Sequence, residues 1–416
     1  MTARRRFASV AMAGVTFQAG SSAVDSATIV AALVFQLTGS SILVGAVTTI
    51  LRIGWLFPQI FVGFLAQRGA DSQRYYMIGA FGRALCIGCI AAILFYGADW
   101  QGPWLGAAVM TLWTAYAFVS GIVAVPYNDI VARAVPSELR SRLLAARFFG
   151  GGVLALGVAY LADRLLAAQM FPVSYAALFA IAAGLMLISS IVFVTMGEPP
   201  QAKGSLKIPS FHIYLLKGRK VFVRDKQFRM FVFAQWCGGA VMMAMPFYVV
   251  HVAELGFDLQ RVAILLGAQT AGGLVSNVLW GWWGDARGKG SLLQGITFLR
   301  ILPPFAVLIF SSGAMPSEID PFVMFAGVFF VLGALANGLT IAVIGFLMDI
   351  SPEALRPAYS GYFNALTTPA YLLPLIGGVI ADSGSTIAIF TISALAAAAQ
   401  FGLIRSIMKL PVQAGH

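Results

Sequence analysis

Charge is what this chain is short of. Only 10% of its 416 residues are charged, where an ordinary soluble domain carries about a quarter. Acid is scarcer still, with 16 Asp and Glu against 27 Lys and Arg. With 59% of residues apolar and a mean hydropathy of +0.86, so few charges cannot cover a water-facing surface. A soluble globular domain is excluded. Histidine and cysteine are also sparse. His212, His251 and His416 are too scattered for a metal site, and Cys86, Cys89 and Cys237 sit in apolar runs as small buried hydrophobes. The chain has no H-E-x-x-H and no G-x-S-x-G, and the triplet Gly150–Gly152 is followed by neither a lysine nor a strand. No cofactor, no metal and no enzymatic chemistry are expected.

What the chain has instead is long apolar runs. They continue for about 20 residues, the length at which a helix crosses about 30 Å of hydrocarbon. Strands of a barrel would instead alternate over about ten. The fold expected is an all-α polytopic membrane protein. Breaks at charges and turn residues place six helices near 9–36, 42–66, 75–97, 104–132, 142–165 and 172–196. Six more lie near 229–252, 260–283, 291–311, 321–348, 357–381 and 384–408. The opening MTARRRFASV imitates a signal peptide, but its apolar stretch runs on towards Leu37, so it reads as the first spanning helix.

One long interval is hydrophilic. Glu198 to Arg229 carries eight Lys or Arg residues interleaved with Ile208, Phe211, Tyr214, Leu215, Val221 and Phe222. That pattern predicts short amphipathic helices lying on anionic headgroups, in a linker over 198–228 between bundles at 1–197 and 229–416. With the N-terminus inside, 22 of the 27 cations fall in inner loops and two, Arg164 and Arg261, in outer ones. Lys and Arg accumulate on the cytoplasmic side. Both termini and the linker are therefore expected in the cytoplasm, here of a bacterial inner membrane, and the positive charge needs no nucleic acid to explain it.

The two halves repeat each other. Gly63 in GFLAQRGADSQR matches Gly281 in GWWGDARGKG at an offset of 218, and Pro136 and Arg140 match Pro352 and Arg356 at 216. Arg83 matches Arg300, and Gln18 matches Gln235, both at 217. Such agreement is the mark of two parallel six-helix units.

At these residues the sequence resembles the major facilitator superfamily of secondary transporters. The resemblance covers nearly the whole chain. The family's loop signature after helix 2, similar to G-x-x-x-D-R-x-G-R-K, is carried best by Gly281, Asp285, Arg287, Gly288 and Lys289. The first copy keeps Gly63 and Arg68 but has Gln67 in place of the acid. The resemblance implies a monomer that moves a small-molecule substrate by alternating access. It also implies an inner gate braced by Gly63, Arg68, Asp129, Arg133, Arg140, Gly281, Asp285, Arg287, Asp349 and Arg356.

A charge in mid-membrane costs several kcal/mol unless it has a partner, a cavity or a function. Asp25 and Arg52 lie about 18–20 Å from the outer turn, at matched depth on consecutive helices. Their repeat mates are Met242 and Thr270, so the shared fold does not demand them. They read as a mid-membrane charge pair, either a buried ion pair or the site of proton coupling through Asp25. Arg83 and Arg300 recur in both halves and read as structural. Cavity candidates in the first half are Gln18, Tyr116, Tyr127 and Arg147. In the second they are Gln235, Trp236, Asn277, Asn337 and Asn364, with interhelical hydrogen bonding as the alternative use of each amide. His251 and Glu254 fall at the outer end of helix 7. The alternative to transport is a membrane scaffold or assembly factor on the same fold.

Overall fold

The computed structural model describes residues 3–66, 72–168, 170–197, 221–257, 262–312, 320–351, 356–383 and 385–410. Most of the basic linker, with its expected amphipathic helices, lies outside them. The first half comprises α1 (Ala3–Ala23), α2 (Ile29–Thr38), α3 (Ser41–Ala66), α4 (Ser72–Tyr96), α5 (Gly102–Ala134), α6 (Ser137–Ala168) and α7 (Val173–Val194). The second comprises α8 (Lys226–Met242), α9 (Phe247–Glu254), α10 (Val262–Ala286), α11 (Lys289–Leu299), α12 (Leu302–Ser311) and α13 (Pro321–Ile350). It ends with α14 (Arg356–Thr367), a 3-10 turn at Thr368–Leu372, α15 (Leu373–Asp382) and α16 (Thr386–Ile407). Among the described residues every regular element is helical, as hydrocarbon demands of a backbone that must bond to itself.

Eleven stretches are long and apolar enough to cross a bilayer. Counting α1 with the short apolar α2 as one broken crossing is consistent with twelve. Four crossings are interrupted where the sequence reading had continuous helices. The α1–α2 break is held by Asp25, whose Oδ1 accepts from the Ala27 and Thr28 N–H groups in the turn before α2. The α8–α9 break falls before Pro246, α12 has Pro303 and Pro304 in its first turn, and the 3-10 turn holds Pro369. Each proline removes a donor from the helical ladder. Tertiary packing, which helix-length counting cannot see, then holds the ends.

The halves share one apolar core at one end only. It combines Ile29, Leu33, Trp113 and Phe179 with Tyr248, Leu265, Phe329 and Phe390. All of these lie towards the outer loops in the orientation that the loop charges predict. Towards the inner side the core divides. Tyr76, Val123, Ile130 and Phe193 pack within the first half, and Phe231, Trp280, Phe346 and Phe363 within the second. The outer seam runs where α3 packs on α15 and α6 on α10. Gly45 meets the Pro374 carbonyl so closely that a Cβ would collide, and a Cβ on Gly378 would lie 2.7 Å from the Ser41 carbonyl oxygen. Small residues at these crossings let the backbones touch. The result is a wedge, shut at the end where α2 and α9 lie and parted at the other.

Candidate functional site: the cavity between the halves

The parted side holds a cavity in two lobes. The first, of about 460 Å³, is lined from the first half by Asp25, Arg52, Arg83, Tyr116, Tyr127 and Arg147 among others. The second, of about 510 Å³, is lined mostly by apolar side chains of the second half, with Gln235, Asn337 and Asn364 as its amides. Arg52 lines both lobes. From α3 its guanidinium reaches 5.9 Å from the centre of the Tyr371 ring on the 3-10 turn.

Asp25 sits in the α1–α2 break. Its Oδ1 accepts from the backbone N–H of Ala27 and of Thr28, both at 3.0 Å, and from the Thr28 hydroxyl at 2.8 Å. Asp and Asn side chains hold turns in this way by bonding nearby backbone N–H groups. Arg52 lies within electrostatic reach of it but forms no ion pair with it. The two therefore share a cavity without being in contact.

Arg147 enters from α6 by crossing α1 at Gly14. A Cβ at that glycine would stand 2.6 Å from the Cγ and Cδ of Arg147, so the missing side chain is the passage for the stem. Its Nη1 donates to the Tyr127 hydroxyl at 3.2 Å, and its guanidinium lies 5.4 Å from the centre of that ring. Tyr127 in turn stacks with Tyr76 at 6.4 Å.

Arg83 departs from the structural role that its symmetry with Arg300 implies. Arg300, 7% exposed, donates to the Gln400 Oε1 at 2.6 Å and to the Gly238 carbonyl at 3.2 Å. Arg83 is 5% exposed, yet among the described residues it makes no hydrogen bond and no ion pair. It lies over the Phe17 ring, 3.9 Å from its centre, and lines the first lobe. A signal for this was available in the sequence. At the repeat offset, the position of Gln400 is held by Ala183 in the first half.

Of the other expected cavity residues, Gln18 packs against Gly151, Trp236 donates to the Leu366 carbonyl at 3.1 Å, and Asn277 lines neither lobe. Asn337 lines the second lobe while donating to the Gly273 carbonyl at 3.1 Å. The Gln235 Nε2 is buried there without an acceptor among the described residues. Among the inner-gate candidates, Asp129, Asp285 and Arg287 make contacts within their own halves. Asp129 accepts from the Ser72 hydroxyl at 2.7 Å and pairs with Arg133. Asp285 pairs with Lys289 at 2.9 Å, and Arg287 lies against Trp282 and Trp283. Gly63 is on α3, Gly281 on α10, and Asp349 is exposed at the end of α13. Arg68 and the side chains of Arg140 and Arg356 lie outside the described residues. At the outer end, buried His251 contacts the Ser311 hydroxyl at 3.0 Å, and Glu254 accepts from Thr386 at 2.6 Å, all within the second half.

Two pseudo-symmetric helical bundles enclosing a polar cavity, with spans broken beside it, define a polytopic transporter-type membrane protein. The Major Facilitator Superfamily model matches residues 10–368, and again 238–412, and the chain belongs to that family. An uncharacterized protein of Mycobacterium tuberculosis (strain ATCC 25618 / H37Rv) is 23% identical over 365 residues, covering 83% of this chain and 69% of the relative. Among solved structures, the nucleoside transporter NupG superposes with a TM-score of 0.72 at 14% identity, covering 98% of this chain and 100% of NupG. A bacterial homologue of the iron transporter ferroportin in its inward-facing state gives 0.69 at 13% identity, covering 99% and 100%. The protein is a membrane transporter and not an enzyme.

Proposed function

We propose that the chain is a secondary transporter that moves a small organic solute by alternating access, with a proton coupled through Asp25. The observation carrying this reading is the division of the apolar core, single outside and double inside, around a polar cavity. A rocking motion that closes the inner gap and parts the outer seam would present the same cavity to the other side. One chain supplies both halves and the whole cavity, so a monomer is the working unit. No nucleotide-binding motif is present in the sequence, and an ion or solute gradient supplies the drive.

Asp25 fits the coupling role because it is the one carboxylate among the described residues lining either lobe. All three bonds go to Oδ1, so a proton on Oδ2 removes the charge and leaves the turn before α2 intact. Asp25→Asn keeps the Oδ1 acceptor and cannot take up the proton. In proteoliposomes, accumulation driven by an imposed pH gradient should vanish in D25N while downhill exchange of the same solute continues. Gradient-driven accumulation that survives the substitution would remove the coupling.

A further inference from the structure

We infer that the solute is an organic anion, its carboxylate or phosphate head held by Arg83 and Arg147 in the first lobe and its apolar body lying in the second. The inference rests on the transporter reading above and narrows it to a substrate class. Three guanidiniums and one carboxylate line the first lobe. One carboxylate cannot balance three guanidiniums, and this one makes no ion pair with any of them while its Oδ1 holds Ala27 and Thr28. A cation taken from water into a protein interior needs an anion or acceptors in return. Arg83 has neither among the described residues, only the face of Phe17, and its Nε is buried without a partner. The Nε of Arg147 is in the same condition.

The internal repeat shows that the first half has given up the fold's own means of anchoring these positions. Arg300 is held by Gln400, and at the repeat offset the first half has Ala183 in the place of Gln400, which offers no side-chain acceptor. Where Gly14 lets Arg147 through, the second half has Phe231, stacked on Phe363 at 5.0 Å with the planes 17° apart. One half thus closes this position with packed rings, and the other opens it for a cation. Guanidinium forks suit carboxylate and phosphate oxygens geometrically. The second lobe, lined by Met242, Met245, Leu332 and Leu335 beside a Gln235 Nε2 that has no acceptor among the described residues, suits an apolar body with a single polar group.

The test uses full-length protein in nanodiscs of neutral phosphatidylcholine, where no anionic lipid competes. Thermal unfolding is followed with hexanoate, hexyl phosphate, hexylammonium and hexanamide as probes. One or both anions should raise the melting temperature, the two separating a carboxylate from a phosphate preference, and the amine and amide should not. Arg83→Gln and Arg147→Gln should each weaken the anion about ten- to hundred-fold. Arg83→Lys should retain part of the affinity, and both Arg83 variants should melt without ligand as the parent does. No shift from either anion, an equal shift from amine or amide, or unchanged anion affinity in R83Q overturns the inference. Flux of a charge-mixed solute library in proteoliposomes tells the two readings apart. Flux of neutral or cationic solutes that ignores Arg83 sinks the anion alone, and no flux of any solute sinks the transporter reading with it.

Discussion

Arg300 and Arg83 show how far two equivalent side chains can diverge. Removing the acceptor of Arg300 leaves a buried cation short of a charged hydrogen bond, a loss of about 1.5–3 kcal/mol. Gln400→Leu should therefore lower the melting temperature of the purified protein by several degrees. Arg83→Leu, which breaks no hydrogen bond among the described residues, should leave it nearly unchanged. Equal losses from the two would mean that both arginines are scaffold. The sequence showed both residues and their symmetry, and symmetry pointed to a shared structural role. It hid the difference because an arginine's role is set by its acceptors. Gln400 is a hundred residues from Arg300 in the chain, and only the fold brings the two together. The case of Arg147 is similar. At the repeat offset its counterparts are Phe363 and Asn364, a mismatch readable in the sequence, whereas the passage over Gly14 is visible only in the fold.

At the scale of the helix, most of the plan was legible. Apolar run length, turn residues and the cation bias gave the crossings, and most ends fall within four residues of those expected. Three of the four breaks fall at prolines readable in the sequence as possible kinks, Pro246, Pro303 with Pro304, and Pro369. Yet Pro58 and Pro126 sit inside unbroken α3 and α5, because a proline in a membrane helix is tolerated or disruptive according to its neighbours. The seam between α3 and α15 was not legible, since a glycine in an apolar run carries no sign of what it faces. That seam is exacting. At Gly45→Leu a side chain would be driven into the Pro374 carbonyl, so α3 and α15 could not close. A cysteine at Thr340, in the second lobe, reports this when Cys86, Cys89 and Cys237 are replaced by serine. In the Gly45→Leu background an impermeant maleimide added from the outer face should label it in folded protein. Protection equal to that of the parent would show that the seam does not seal the cavity.

Taken whole, the molecule is a wedge with its open side on the face where the loop cations gather. With Gly45 intact, the same Thr340 cysteine should react in inside-out vesicles and stay protected in intact cells. The reverse pattern would overturn either the predicted orientation or the inward opening. The substrate was not legible in the sequence at all. Mid-membrane Asp25 and Arg52 fitted a zwitterion, an anion or an amphipathic drug alike, and only their places in the fold show that they share a lobe without being paired.

The outer closure is made of buried aliphatic and aromatic side chains and touching backbone, while the described ion pairs of the inner loops stay inside their own halves. Ionic strength therefore has little hold on the outer seal, because among the described residues no ion pair crosses it to be screened. Temperature has more. The tendency of apolar groups to withdraw from water fades on cooling, so wetting of the outer vestibule becomes easier in the cold, and the balance between the two faces shifts with climate rather than with salinity.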